Sequence, residues 1–424
     1  MVAQNLTATT PDMKFRLKHM FLALMAMPLL VFSSCKPDEK QPEEDVTPHT
    51  LIYYFTGTSL SLHFYNNISA AEVAVRKNVL QNSRIVCFFQ SSDKRSAEVI
   101  ELVYNNGACE RKTLATYELP AIMDAERLTY NLKEIMTLAP AESYGLVMAG
   151  HATGWVPIDG VAQPSSSIAG GKQAKHSYIT HEELWKKQDT GVETRFFGEK
   201  YSSTAANAFD IPDLAKAFSD TGVYFDYILF DACLMANVEA LYDLRQTARY
   251  IIASPCEIMA AGFPYTDVVP LLMKDGGRSH DLAGVCLAYN KYYENSKSYR
   301  SGSVALVDCS QLDALAAAVK KVNNAQQKSY DIGNIQSFEG HRDHIFFDLG
   351  DYIEQMCDDE QALKAFQQQM NRTVPTKYTL SVFWSNLGVA GEYPIRTFSG
   401  LTTSAPSVLY RSDYENTAWY KATH

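Results

Sequence analysis

Two apolar runs in this chain end on residues able to do nucleophilic chemistry. Tyr227-Ile-Leu-Phe230 leads into Asp231-Ala-Cys233, and Tyr144-Gly-Leu-Val-Met148 leads through Ala149-Gly150 into His151. A thiol attacks as its thiolate, and an imidazole beside it takes the proton. Either residue alone has a plainer reading: a cysteine after a strand packs as a small hydrophobe, and a histidine at a strand end is structural. As a pair they form a candidate dyad, with Cys233 the nucleophile and His151 the general base. The backbone N–H groups of Ala152 and Cys233 are candidate oxyanion donors. Gly150 and Gly154 let the chain around the histidine turn sharply and approach a substrate carbonyl. A helix expected from Asn237 would set its positive end close to the thiol.

The elements that must position these groups alternate. Strands are predicted at Leu51–Phe55, Arg84–Phe89, Tyr144–Met148, Tyr227–Phe230, Tyr250–Ala253 and Val304–Val307. Helices are predicted near Ala70–Leu80 and over Ala125–Leu138, Ile211–Phe218, Asn237–Arg249, Asp313–Asn323 and Asp351–Gln368. Leu128, Leu132 and Ile135 share one helical face, with Asp124 as N-cap. Glu98–Tyr104 and Arg111–Tyr117 read as a hairpin, and Tyr378–Phe383 as a late strand. Continuous apolar strands alternating with helices predict an α/β fold, a mostly parallel sheet covered on both faces. In such sheets chemistry gathers beyond the carboxyl ends of the strands, where both candidate residues lie. Residues 156–195 break the rhythm with a Ser-, Gly- and Lys-rich loop, long enough to be functional or disordered.

The 424 residues are 46% hydrophobic and 20% charged, a globular composition, and the net charge of -10 argues against a nucleic-acid partner. The first 34 residues read as a signal peptide, its start at Met1 or Met13. Lys14, Arg16, Lys18 and His19 precede the apolar stretch Met20–Phe32, which is too short to span a bilayer comfortably. Ser33-Ser34-Cys35 has the form of a lipoprotein cleavage site, which makes Cys35 the lipidated residue. An ordinary signal peptide is the other reading. Residues 35–49 form a charged, Pro-containing tether. Seven further cysteines lie scattered without CxxC spacing; their odd number requires at least one thiol outside any disulfide, and no metal is expected from the spacing. The rest divides into a larger domain at 50–330 and a C-terminal α+β extension at 331–424.

"GHATGW" at His151 and "FDACLMANVEAL" at Cys233 resemble the two signature segments of the clostripain family of cysteine peptidases. "HTLIYYFTG" resembles that family's first strand, and "FSGLTT…YENTAWYKAT" its C-terminal pattern, so the resemblance spans most of residues 50–424. It implies a caspase-like α/β/α sandwich and an exported endopeptidase acting through a thioester acyl-enzyme. His151 matches the family's base, Cys233 its nucleophile, and Asp231 the acid of the S1 pocket, which selects Arg or Lys. Strand geometry agrees, since residues two apart face the same side if the strand continues. A helix N-cap is the plainer role for Asp231. Glu257, the acid in "SPCEIMAAGFPY", is the candidate second S1 acid. The resemblance also implies self-processing in the 156–195 loop, with Lys172, Lys175 and Lys187 as candidate sites; a solvated linker is the alternative. Calcium is the one cofactor the resemblance raises, although no EF-hand loop is present. The expected partners are protein or peptide substrates and, through the lipid, a membrane. The expected state is a monomer at the outer membrane, cell surface or periplasm. The rival reading is a catalytically idle surface binding protein on the same scaffold.

Overall fold

The computed structural model describes residues 47–57, 59–90, 96–119, 122–157, 199–202, 205–207, 209–297 and 300–424. Residues Asp45–His424 form one compact unit. Its centre is a nine-stranded sheet. The strands are β1 (His49–Phe55), β2 (Arg84–Gln90), β3 (Ser96–Asn105), β4 (Ala108–Glu118), β5 (Ser143–Ala149), β6 (Phe225–Asp231), β7 (Ala248–Ala253), β8 (Val304–Asp308) and β9 (Thr376–Tyr378). Their spatial order is β9-β8-β7-β6-β5-β1-β2-β3-β4. The five middle strands, from β7 to β2, run parallel, and β8 with β9 on one side and β3 with β4 on the other add antiparallel edges.

The parallel centre explains the composition of its strands. All seven residues of β1 are buried, as are all of β5 beyond its first residue. Such strands must be apolar on both faces because helices cover both. One helical layer contains α1 (Ser61–Val75), α5 (Tyr265–Leu272) and α6 (Leu282–Glu294), which pack on one another. The other contains α2 (Ala125–Leu138), α3 (Ile211–Ser219), α4 (Val238–Leu244), α7 (Leu312–Asn323) and, at the C-terminus, α11 (Ala418–Thr423). The expected α/β sandwich with a mostly parallel core is thus present. The strand β9 comes from the 331–424 stretch and pairs with β8, so this stretch extends the central sheet. It also holds α8 (Leu349–Met356), α9 (Glu360–Thr373), α10 (Arg411–Asn416) and a small hairpin of β10 (Val382–Ser385) with β11 (Gly391–Pro394).

Several element boundaries depart from the sequence expectations. Helix α1 starts at Ser61 rather than near Ala70 and ends at Val75, because Asn78 and Gln81 take positive φ (56° and 50°). Helix α4 stops at Leu244 and not at Arg249: the N–H and hydroxyl of Thr247 both bond the Leu244 carbonyl, at 2.9 and 2.7 Å, and close the turn. The single helix expected over 351–368 is two, broken at Cys357, and Asp359 caps the second by accepting from the N–H groups of Gln361 and Ala362. The strand expected at Tyr378–Phe383 is split between β9 and β10. Asp124 caps α2 as expected, accepting from Arg127 at 2.8 Å. Among the described residues, no helix is long and apolar enough to cross a membrane.

Candidate active site

Strands β5 and β6 are neighbours in the sheet, with Ala149 the register partner of Asp231. The Gly150 N–H continues the ladder to the Asp231 carbonyl at 3.4 Å. His151 and Cys233 therefore each lie two residues beyond a paired position, at the same carboxyl edge. Both are buried, at 2% and 0% exposure. His151 Nε2 lies 2.8 Å from the hydroxyl of Ser59, which follows β1, the strand on the far side of β5. Two glycines make this arrangement possible. A Cβ at Gly150 would stand 2.5 Å from Thr56 Oγ1. Gly154 takes φ +58°, and a Cβ there would meet the Leu234 carbonyl and Phe346, both at 3.1 Å. The histidine loop is thus pressed onto the segment just after the cysteine.

That segment is no helix start. After β6 the chain makes a tight turn through residues 232–236, and Leu234 sits at φ +60°. A non-glycine residue in this left-handed region costs about 1–2 kcal/mol, and such strain gathers where geometry matters for function. Two backbone hydrogen bonds and one to the thiol tie the turn to the loop after β7. Leu234 N–H donates to the Cys256 carbonyl at 3.1 Å, Ala236 N–H to the Ser254 carbonyl at 2.9 Å, and Ile258 N–H to Cys233 Sγ at 3.2 Å. The thiol also points at the Ile258 carbonyl, at 3.8 Å. Helix α4 begins only at Val238, with Asn237 as its cap, accepting from Ala240 at 3.2 Å. The expectation that a helix end adjoins the thiol is corrected accordingly. The Ile258 N–H donates to the sulfur, and the helix cap is Asn237, not Asp231.

Asp231 is fully buried, and its Oδ2 accepts from the Tyr265 hydroxyl at 2.7 Å and from the Phe263 N–H at 3.5 Å. Glu257 has other partners. Its Oε2 accepts from the Ser385 hydroxyl and the Asn386 N–H, both at 2.6 Å, and from the Leu387 N–H at 3.2 Å. Glu257 thus ties the loop after β7 to the end of β10. Cys35, Lys172, Lys175 and Lys187 lie outside the described residues. None of the seven described cysteines forms a disulfide.

A second set of contacts escaped sequence reasoning. Glu239, in the first turn of α4, is buried, and its Oε1 accepts from the Thr403 hydroxyl at 2.7 Å and the Ser404 N–H at 3.0 Å. The Ser404 hydroxyl in turn accepts from Trp155 Nε1 at 2.7 Å. One carboxylate therefore links the cysteine segment, the histidine segment and the C-terminal "SGLTT" stretch. Burial pushes the pKa of Glu239 up to about 7. The partners lie too far apart in sequence for any spacing rule to find them.

A thiol and an imidazole on the carboxyl edge of a parallel sheet, inside an α/β/α sandwich, describe a cysteine hydrolase. The model of the clostripain family matches residues 178–392, which take in Asp231, Cys233 and Glu257. Among solved structures, a secreted C11 cysteine protease from Bacteroides thetaiotaomicron is 34% identical. That match covers 89% of this chain and 99% of the other, with a TM-score of 0.75. An inactive zymogen C11 protease from Parabacteroides distasonis is 25% identical over 89% of this chain and 99% of the other, with a TM-score of 0.70. Another secreted C11 protease from Bacteroides thetaiotaomicron, in complex with an irreversible peptide inhibitor, is 24% identical with a TM-score of 0.70 over 89% of this chain and 98% of that one. The last likeness speaks for the fold alone. No curated protein matches. The chain belongs to the clostripain family, and it is a cysteine-type endopeptidase.

Proposed function

We propose that the peptidase acts through Cys233 as nucleophile and His151 as general base, and cleaves after Arg or Lys. The observation that carries this reading is the β5–β6 register, which gives both residues the same offset beyond Ala149 and Asp231. In this reading His151 Nε2–H donates to the Ser59 hydroxyl, which leaves Nδ1 to take the thiol proton. The Ile258 N–H aimed at Sγ supplies a hydrogen bond that favours the thiolate. The thiolate attacks the scissile carbonyl, and the N–H groups of Cys233 and Ala152 receive the developing oxyanion. The imidazolium returns its proton to the leaving amine, which leaves a thioester. Water, activated by the same imidazole, then hydrolyses the thioester and releases the enzyme.

Asp231 is the candidate S1 acid. Its buried carboxylate accepts from Tyr265 and the Phe263 N–H, and as an anion it would offer a charge-assisted contact to a basic side chain. Glu257 is the candidate second acid. Export is supported by the leader at the N-terminus and by the description of a 34% identical relative as secreted. Lipidation at Cys35 would then hold the enzyme at a membrane surface, where it meets protein or peptide substrates.

Peptide amides ending in Arg, Lys and a neutral residue test the reading together. Cys233→Ala should abolish turnover of all three. Asp231→Asn should lower kcat/KM for the basic substrates by about 10–100-fold, the equivalent of one charge-assisted hydrogen bond, and leave the neutral one nearly unchanged. Activity retained in Cys233→Ala overturns the nucleophile; an equal loss on all substrates in Asp231→Asn overturns the S1 role.

A further inference from the structure

The amino edge of the sheet, opposite the catalytic candidates, carries a second cluster of chemistry-bearing side chains. His49 is the first residue of β1, Asp226 the second of β6, and His280 lies in the connection between α5 and α6. One ligand-capable atom from each falls within 4.8 Å of the others. We propose that His49, Asp226 and His280 form a binding site for a single zinc ion.

The distances suit that ion. Tetrahedral zinc with bonds of about 2.0–2.1 Å sets its donor atoms about 3.3 Å apart. Asp226 Oδ2 stands 3.3 Å from His280 Nε2 and 3.6 Å from His49 Nδ1. The second shell is in place for both imidazoles. His280 Nδ1 lies 2.7 Å from the Leu272 carbonyl, so Nδ1–H has its acceptor and Nε2, hydrogen-bonded to Asp226 at 3.3 Å in the empty cluster, is the nitrogen that would give up its proton to the metal. His49 Nε2 faces the Tyr227 hydroxyl at 3.4 Å, a partner able to accept from Nε2–H when Nδ1 is given to the metal. Ser143 Oγ, 2.8 Å from His49 Nδ1, has the Pro48 carbonyl as a second partner at 3.2 Å. Its proton therefore keeps an acceptor when Nδ1 turns to a metal. His49 is buried, while the Asp226 side chain is 39% exposed, so the cluster has a closed floor and an open mouth. The mouth gives an entry path and room for water as fourth ligand. Two imidazoles and one carboxylate favour zinc over calcium, which takes six to eight oxygens.

The ion would fasten β1, β6 and the α5–α6 connection together at the edge away from catalysis, so the expected readouts are binding and thermal stability. Zinc also binds catalytic thiols, and the measurement is therefore made on the full chain carrying Cys233→Ala. Calorimetric titration with zinc should give one ion per chain, and zinc should raise Tm. Cobalt, as a spectroscopic probe, should give a tetrahedral d–d spectrum without a sulfur-to-metal charge-transfer band. Asp226→Asn and His280→Ala, added singly, should each weaken zinc binding by at least about 100-fold, beyond what loss of an outer-shell partner causes. Circular dichroism checks the fold of both; if one variant does not fold, the other, and the titration of the unaltered cluster, still decide. No zinc bound by the Cys233→Ala chain, a cysteine band in the cobalt spectrum, or undiminished affinity in a folded ligand variant overturns the proposal.

Discussion

His151 needs its ring held in one orientation if it is to take a proton from Cys233, and the side chain that faces its Nε2 is Ser59 at 2.8 Å. A neutral hydrogen bond of this kind contributes about 1 kcal/mol, so Ser59→Ala should lower kcat about fivefold and change KM little. A loss confined to KM would assign Ser59 to substrate binding instead. The shared sheet edge of His151, Asp231 and Cys233 is legible because each follows an apolar run whose end is visible in the sequence. Ser59 was not, because its partner stands 92 positions away and a serine after a strand carries no signal of its own. Leu234 was equally hidden. Nothing in a leucine announces φ +60°, and only the hydrogen bonds of the turn around it reveal the constraint.

The elements were legible in proportion to how much apolar patterning defines them. The buried strands β1, β5 and β6 stand where their continuous apolar runs put them, and the amphipathic α2 where its periodicity does. Helix ends set by one side chain, such as Thr247 closing α4 or Asp359 restarting the chain after α8, were misjudged by several residues. The contacts between elements, which no pattern encodes, include the one with the clearest pH signature. Burial holds the Glu239 pKa at about 7, above its ordinary value of 4.5. Between those values the folded chain binds more protons than the unfolded chain, so stability falls as pH rises from about 4.5 through 7. The cost of ionising this one buried group is on the order of 3 kcal/mol. Glu239→Gln keeps an acceptor for Thr403 and Ser404 and cannot ionise. In the Cys233→Ala background, denaturant unfolding from pH 5 to pH 8 should show the parent losing stability relative to Glu239→Gln. Parallel pH profiles would mean that Glu239 is already ionised at low pH in the folded state.

At the scale of the whole molecule, burial of the catalytic candidates has a consequence for activation. With Cys233 at 0% and His151 at 2% exposure, uncovering the thiol is the step that activation would supply. A cut in residues 156–195 is suited to uncover it, since that stretch lies in the connection between the histidine segment and β6. The fold would survive such a cut. Strands β1 to β5 precede the loop and β6 to β9 follow it, and the two groups stay joined through the Gly145–Ala149 pairing with Tyr227–Asp231 in the middle of the sheet. The wild-type chain should therefore mature into two fragments that remain together under native conditions and separate in denaturant. Cys233→Ala should remain one chain. Replacing Lys172, Lys175 and Lys187 together by Ala should block the cut and lower turnover of a small Arg- or Lys-ended substrate at least about tenfold, because the thiol stays covered. Mass spectrometry of the denatured proteins locates the cut, and a burst titration with an irreversible peptide inhibitor counts open sites. An uncut chain that titrates fully would show that the buried thiol opens without proteolysis, and would return the lysine-rich loop to the role of a solvated linker.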